Sequence, residues 1–248
     1  MKRLISHIKK VISYLWIFGM SSEEYVHYLR KHGIRVGEKV NFRGPADTTI
    51  DFTRPCLVEL GNNLDINHNF SILTHDFGTF VFRNYYKDFV NSSGKVKIGD
   101  NIVFGRDVTI LKGSSIGDNC IIGAGSIVSG VIPSNSVAVG RPAKVVCSLD
   151  DYYNKRKAIQ EKEAIEYAKE LVSYKGGIDK LKIEDFTEEW VIFLSEEEYN
   201  ANEGIRKAVD FRLKGRIDIH EYLNRPRPYC NFKSFLDAVE ESIKADKQ

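Results

Sequence analysis

The sequence predicts a mainly β chain, a solenoid of short parallel strands with helices before it, one long loop leaving it and a helical extension after it. Three observations carry this. A six-residue repeat runs through the middle of the chain, its register breaks once, and near Leu149 it gives way to charge-rich stretches of helical period.

Residues 1–35 read as helices. The apolar run from Val11 to Met20 is interrupted by Ser13 and falls well short of the about 20 residues of a spanning helix. No small-residue cleavage site follows it. The next stretch, "SSEEYVHYLRKHG", has Ser21 or Ser22 to cap a helix, Glu23 and Glu24 for its first turn and Gly33 to end it. Two packed amphipathic helices are expected; the sharper alternative is a basic surface helix in weak contact with a membrane.

Residues 36–148 hold the repeat. From Ile98 the chain divides into IGDNIV, FGRDVT, ILKGSS, IGDNCI, IGAGSI and VSGVIP. The first column is Ile98, Phe104, Ile110, Ile116, Ile122 and Val128, with no polar exception. These are the inward knobs of short strands. The fifth column (Ile102, Val108, Ser114, Cys120, Ser126, Ile132) takes slim side chains, as a tight second inward position would. Glycine recurs in the second column, at 99, 105, 117 and 123, where restrictive corner dihedrals are expected. Three six-residue sides close one coil of 18 residues, and stacked coils bury a continuous apolar interior. Upstream, Val36, Phe42, Leu60, Ile66 and Ile72 keep the same multiples of six. Ile98 does not: it follows Ile72 by two more than a multiple of six, so residues 76–95 leave the solenoid as an extruded loop. Long loops in compact domains are often functional.

A composition of 42% apolar and 28% charged residues belongs to a soluble globular protein, and a net charge of +2 gives no reason to expect a nucleic-acid partner. Cys56, Cys120, Cys147 and Cys230 are far apart and form no C-x-x-C pair, which argues against disulfide or metal frameworks and for a cytoplasmic location.

The stretches "NHNFSILTHD" and "VKIGDNIVFGRDVTILKGSSIGDNCIIGAGSIVSGVIPSNSVAVGRPAKVV", with the loop between them, resemble the hexapeptide-repeat acyltransferases. Within that family they are most similar to the maltose/galactoside and capsular-polysaccharide O-acetyltransferase branch. The resemblance implies a left-handed parallel β-helix, against the usual right-handed crossover rule. It also implies a homotrimer with clefts between subunits, acetyl-CoA as acyl donor and a sugar or glycan acceptor.

Acetyl transfer to a hydroxyl needs a positioned base and donors for the oxyanion. Of the six histidines, His75 in "LTHD" stands where the register breaks, and similar enzymes use a histidine just before this loop as general base. Asp76 is a candidate to orient its ring or meet substrate. His68 is the nearest competitor, in a repeat position that usually faces outward. Asn67 either holds the acceptor, as asparagines do in similar enzymes, or belongs to an asparagine ladder at a turn. Most loop rings are expected to anchor the loop on a neighbouring subunit, with Tyr85 and Tyr86 as sugar contacts. By position in the family pattern, Ala124, Ser129 and Gly130 match contacts along the pantetheine arm, Arg106 a contact near the thioester, and Lys144 with Arg141 the coenzyme phosphates. Two departures weaken that phosphate anchoring: "SGVIP" stands where similar chains often read "TKD-P", and Cys147 stands where they carry a basic residue.

Residues 149–248 read as a long helix ending at Gly176-Gly177 and then shorter helices with a Pro-rich break, and capping of the β-helix is the expected role. Competing functions fare less well. A zinc hydratase needs three convergent histidines, and the repeat region offers only His68 and His75, so no metal site is expected. A nucleotidyltransferase would need a large upstream domain, where about 35 residues precede the first coil. N-acetylation of an amino sugar or nucleotide sugar is the closest rival, and a non-enzymatic binding solenoid would leave "LTHD" at the register break without purpose.

Overall fold

First-column side chains sit one above another because each coil adds one strand to each of three walls. In the computed structural model, which describes residue 17, residues 19–213 and residues 216–246, the coils build three sheets. The first wall is β1 (Arg35–Val36), β4 (Val58–Leu60), β7 (Val96–Ile98), β10 (Ser115–Ile116) and β13 (Val131–Ile132), all parallel. The second is β2 (Asn41–Phe42), β5 (Leu64–Ile66), β8 (Ile102–Phe104), β11 (Cys120–Ile122) and β14 (Ser136–Gly140), closed at its edge by β15 (Ala143–Ser148), which runs antiparallel to β14. The third is β3 (Thr49–Ile50), β6 (Ser71–Ile72), β9 (Thr109–Ile110) and β12 (Ile127–Val128).

The pairing register stacks like on like. Leu60, Ile98, Ile116 and Ile132 share one row, Ile66, Phe104, Ile122 and Ala138 a second, and Ile50, Ile72, Ile110 and Val128 a third. All are buried in one core. Burying each such side chain stabilises by roughly 1.5–3 kcal/mol. Phe70 and Phe104 meet edge to face at 5.0 Å inside it. Val108, Ser114, Cys120 and Ser126 of the fifth column are buried as expected. Ile132 is not a fifth-column residue: it pairs with Ile116 sixteen positions earlier, because the last coil is two residues short at its corner.

The second-column glycines have a different reason from the one the repeat suggested. None of the four has a positive φ. A Cβ on Gly105 would lie 2.4 Å from the Ala124 backbone nitrogen of the coil above, so the glycine permits close stacking. The left-handed positions are held instead by Asn63, Asn101, Asn119 and Asn135, at φ between 56° and 59°. Their amides form a ladder along one corner, with Nδ2 donating to the next Oδ1 at 2.8, 2.8 and 3.0 Å. Gly105→Ala should therefore destabilise the β-helix by about 1–3 kcal/mol, read as a lowered thermal midpoint. An unchanged midpoint would show that the coils do not stack this closely.

Helix α1 (Ser22–Lys31) precedes the coils. Ser21 is its N-cap in a capping box with Glu24, and its first turn carries Glu23 and Glu24. Tyr25, Val26 and Leu29 join the core of the first coil, where Tyr25 meets Phe42 edge to face at 4.9 Å. The helix expected before it lies outside the described residues. Among the described residues no helix is long and apolar enough to cross a membrane.

The contact pattern divides the chain at Tyr153. The second unit contains most of α3 (Leu149–Lys175), with α4 (Glu196–Ala201), α5 (Glu203–Leu213), α6 (Ile219–Leu223) and α7 (Phe232–Ala245). Helix α3 ends at Gly176, φ 77°. The unit has a core of its own around Phe186, Phe193, Trp190 and Phe235, in which Phe193 stacks on Phe235 at 4.8 Å.

Candidate active site

The walls meet at three corners, and the insertions in the repeat concentrate at one of them. Between the third wall and the first, the chain crosses in residues 51–57, 73–95, 111–114 and 129–130 of successive coils. The first two crossings are longer than a plain corner. The break foreseen after residue 75 is the second of them. The first hides in the sequence because Phe42 and Leu60 are still 18 apart, while Ile50 between them sits out of column.

These stacked insertions bring His75 onto Asp51. His75 Nδ1 lies 2.6 Å from Asp51 Oδ2, with the ring 23% exposed and the carboxylate 5%. Asp51 is held from all sides: Thr53 donates its N–H and its hydroxyl to Oδ1 at 2.8 and 2.6 Å, and the buried Thr74 hydroxyl donates to Oδ2. Burial alone would raise the Asp51 carboxyl, but the hydrogen bonds from Thr53, Thr74 and His75 outweigh it and hold the group below the ordinary aspartate range. A permanently ionised carboxylate on Nδ1 fixes the ring and the tautomer, leaving Nε2 as the basic nitrogen.

Asp76 does not orient the histidine. Its carboxylate turns to Lys112, on the same corner one coil further, and accepts the Gly78 N–H at 3.0 Å. The Lys112 ammonium, with the Gly78 N–H and Ser92, pulls its pKa down to about 2. Together with the Gly94 N–H on Thr74 O at 2.9 Å and the bridge between His75 and Ser93, this pair clamps the base of the loop. The loop itself is not wholly irregular, for residues Thr79–Tyr85 form helix α2. Phe77 sits 5.9 Å from the His75 ring, and Tyr85 and Tyr86 end the helix exposed, edge to face with each other at 4.7 Å.

The remaining sequence candidates fall on two corners. Ser129 and Gly130 lie on the His75 corner, two coils on. Ser129 is exposed, whereas the Gly130 N–H donates to Ser114 Oγ at 3.2 Å and its carbonyl accepts from Ser115. Asn67, Arg106 and Ala124 lie on the corner between the second and third walls. Asn67 Oδ1 accepts the His68 N–H at 2.9 Å, and Asn69 Nδ2 donates to Asp107 Oδ1 of the next coil at 2.8 Å. His68 forms its own pair with Asp47, at 2.7 Å. Arg106 and Ala124 are exposed, and Arg141 reaches the same corner through Nε on Gly125 O at 2.5 Å. Lys144 is exposed on β15 opposite Val139. The third wall, ending in Ser71 and Thr109 on its outer side, separates these residues from His75.

Asp51, Thr53, Thr74 and Lys112 were not singled out by the sequence. The out-of-column Ile50 signals the insertion that holds Asp51 and Thr53, and nothing in the repeat pattern marks Thr74 or Lys112.

Residues 95–130 match the family described as bacterial transferase hexapeptide (six repeats). Protein CapG of Staphylococcus aureus is 34% identical over 127 residues, which cover 51% of this chain and 73% of CapG. The chain belongs to the bacterial hexapeptide-repeat transferases. YvoF of Bacillus subtilis, whose description is that of an acetyltransferase, is 28% identical across 61% of this chain and 80% of its own. Among solved structures, a maltose O-acetyltransferase from Clostridium difficile 630 is 26% identical, covering 58% of this chain and 84% of that one, with a TM-score of 0.40. In this transferase chain the stacked corner insertions are thus the local elaboration that carries an imidazole and its carboxylate.

Proposed function

We propose that the protein is an acetyl-CoA-dependent O-acetyltransferase acting on a sugar hydroxyl, working in the cytoplasm on precursors of a surface or capsular polysaccharide. The observation that carries the reading is the His75–Asp51 pair on a clamped, partly open corner of a rigid wall. His75 Nε2 takes the hydroxyl proton while the oxygen attacks the thioester carbonyl. The tetrahedral intermediate collapses, the carbon–sulfur bond breaks, and the imidazolium returns the proton to the thiolate. No covalent enzyme intermediate is needed, and Asp51 stays ionised throughout as counter-charge to the transient imidazolium.

The residues present fit the donor. Ser129 on the His75 corner suits the pantetheine end. Arg141 and Lys144, both exposed, suit the phosphates of a donor seated against a neighbouring subunit. Arg106, expected near the thioester, lies on the same far corner as Arg141, across the third wall from this chain's His75. Asn67 and the exposed Tyr85 and Tyr86 are the acceptor-side candidates, since aromatic rings cover sugar faces. N-acetylation would use the same base, but an ammonium must first lose a proton, whereas a hydroxyl needs the base only during attack. The test is thiol release from acetyl-CoA against a panel of sugars, nucleotide sugars and glycolipids. A sugar alcohol that stimulates release in wild type and not in His75→Ala supports the reading; stimulation by amines alone refutes it.

The loop exposes Phe77, Phe80, Val81, Tyr85, Tyr86 and Phe89, a contiguous apolar segment beside His75. A trimer in which this loop reaches a neighbouring subunit accounts for it. Light scattering at micromolar concentration should give three times 28.3 kDa; a monomer there would remove the inter-subunit cleft from the account.

A further inference from the structure

The helical unit offers a second site, remote in sequence from His75. A cavity of about 590 Å3 has Glu196, Asn224, Arg225, Arg227, Tyr229 and Ser234 among its lining residues. That volume is within the range of small-molecule sites, roughly 300–1,000 Å3.

Its lining carries two guanidinium groups, of which only Arg225 makes an ion pair among the described residues. The guanidinium carbons of Arg225 and Arg227 lie 5.5 and 5.7 Å from the centroid of the same ring, Tyr222. Two like charges so placed repel unless an anion joins them. Arg225 is half exposed and takes Glu221 at 3.1 Å. Arg227 is half-buried, donates to Tyr222 O at 2.9 Å, and among the described residues makes no ion pair. Of the acids around it, Glu198 attracts it through space, though the Glu198 oxygens accept other donors. Glu198 accepts the Phe232 N–H at 2.8 Å and the Ser195 N–H and hydroxyl at 3.0 and 2.9 Å, and Glu196 accepts His220 at 2.9 Å. Burial accordingly pulls the Arg227 guanidinium below its ordinary value. Ser234 brings the first turn of the 14-residue helix α7 to the cavity wall, its N-terminus already capped by Asn231 and by the Glu198 carboxylate on the Phe232 N–H. A half-buried guanidinium with no ion pair among the described residues and a second guanidinium over the same ring form a receptor for an oxyanion.

We propose that this cavity binds a phosphorylated or carboxylated sugar, with the Arg227 fork on the oxyanion, Arg225 adding charge, and Asn224 and the Tyr229 ring against the sugar body. The sugar body rests on the acceptor class proposed above, while the oxyanion rests on the cavity alone. The site gives the extension a role in holding acidic glycan units.

Calorimetric titration of the full-length protein with glucose 1-phosphate, glucuronate and glucose tests it. Saturable binding of either acid, one per chain, is expected, with glucose silent and the preferred acid identifying the oxyanion. Arg227→Gln should weaken that binding roughly 10- to 100-fold, the scale of lost charge-assisted hydrogen bonds, with the circular dichroism spectrum unchanged. If that variant unfolds, Arg227→Lys, which keeps the charge and loses the fork, should give intermediate weakening. His75→Ala should bind the acid as wild type does, so loss of the transferase reading would leave this site standing. No binding of either acid, equal binding of glucose, or acid binding unaltered by both Arg227 variants overturns the proposal.

Discussion

His75→Ala should lower kcat for acetyl transfer by a factor on the order of 10²–10⁴, the usual contribution of a positioned general base, with KM for acetyl-CoA nearly unchanged. The ring is partly exposed and Thr53 and Thr74 still hold the Asp51 carboxylate without it, so the thermal midpoint should fall by only a few degrees. Steady-state thiol release and a melting curve on the same preparation separate the two effects. Retained full activity would refute the assignment of the base. A large fall in melting temperature would instead make the histidine a structural group.

The second large effect belongs to Asp51. As a positioning residue it acts through His75, so Asp51→Asn should lower kcat by roughly 10²-fold or more while leaving KM for acetyl-CoA alone. An amide on Nδ1 can donate to the ring, and it then favours the tautomer with its proton on Nε2, the wrong nitrogen for a base. Asp51→Ala should also unfold more readily, by about 1–3 kcal/mol, because the buried Thr74 hydroxyl loses its acceptor. The pH dependence has a definite sign. The folded-state pKa of Asp51 is depressed, so its contribution is complete above the ordinary aspartate pKa and fades as pH falls through the folded value. Acid titration of stability should therefore flatten in Asp51→Asn relative to wild type. A variant with wild-type kcat, or an unchanged acid profile, would show that this carboxylate neither orients the ring nor stores stability.

How much of this was legible in the sequence varied with the range of the interaction. The coil interior was legible almost residue by residue, because Ile98, Ile110, Ile116 and Val128 face inward for a reason repeated every six positions. A cap at Ser21 or Ser22 and the stop at Gly176 were legible because they are local, and the structure selects Ser21. His75 stood out as a register break. Its partner did not, since Asp51 lies 24 residues earlier and meets it only through coil stacking, whereas the adjacent Asp76 points to Lys112. Sequence adjacency suggested the wrong carboxylate. The glycine column was seen correctly but explained wrongly: it reflects the narrow gap between coils, and asparagines take the left-handed corners. Arg227 lay in a Pro-rich break, and its half-burial against the Tyr222 carbonyl is a property of tertiary packing.

The central claim is that the corner bearing His75 faces a groove that seats coenzyme A. A crystal structure of the assembled protein with coenzyme A measures this directly. The account predicts the coenzyme sulfur within roughly 6 Å of His75 Nε2, near enough for one hydroxyl oxygen to stand between base and thioester, with Asp51 still on Nδ1. A coenzyme seated elsewhere, with Nε2 facing bulk solvent or packed protein, would contradict it.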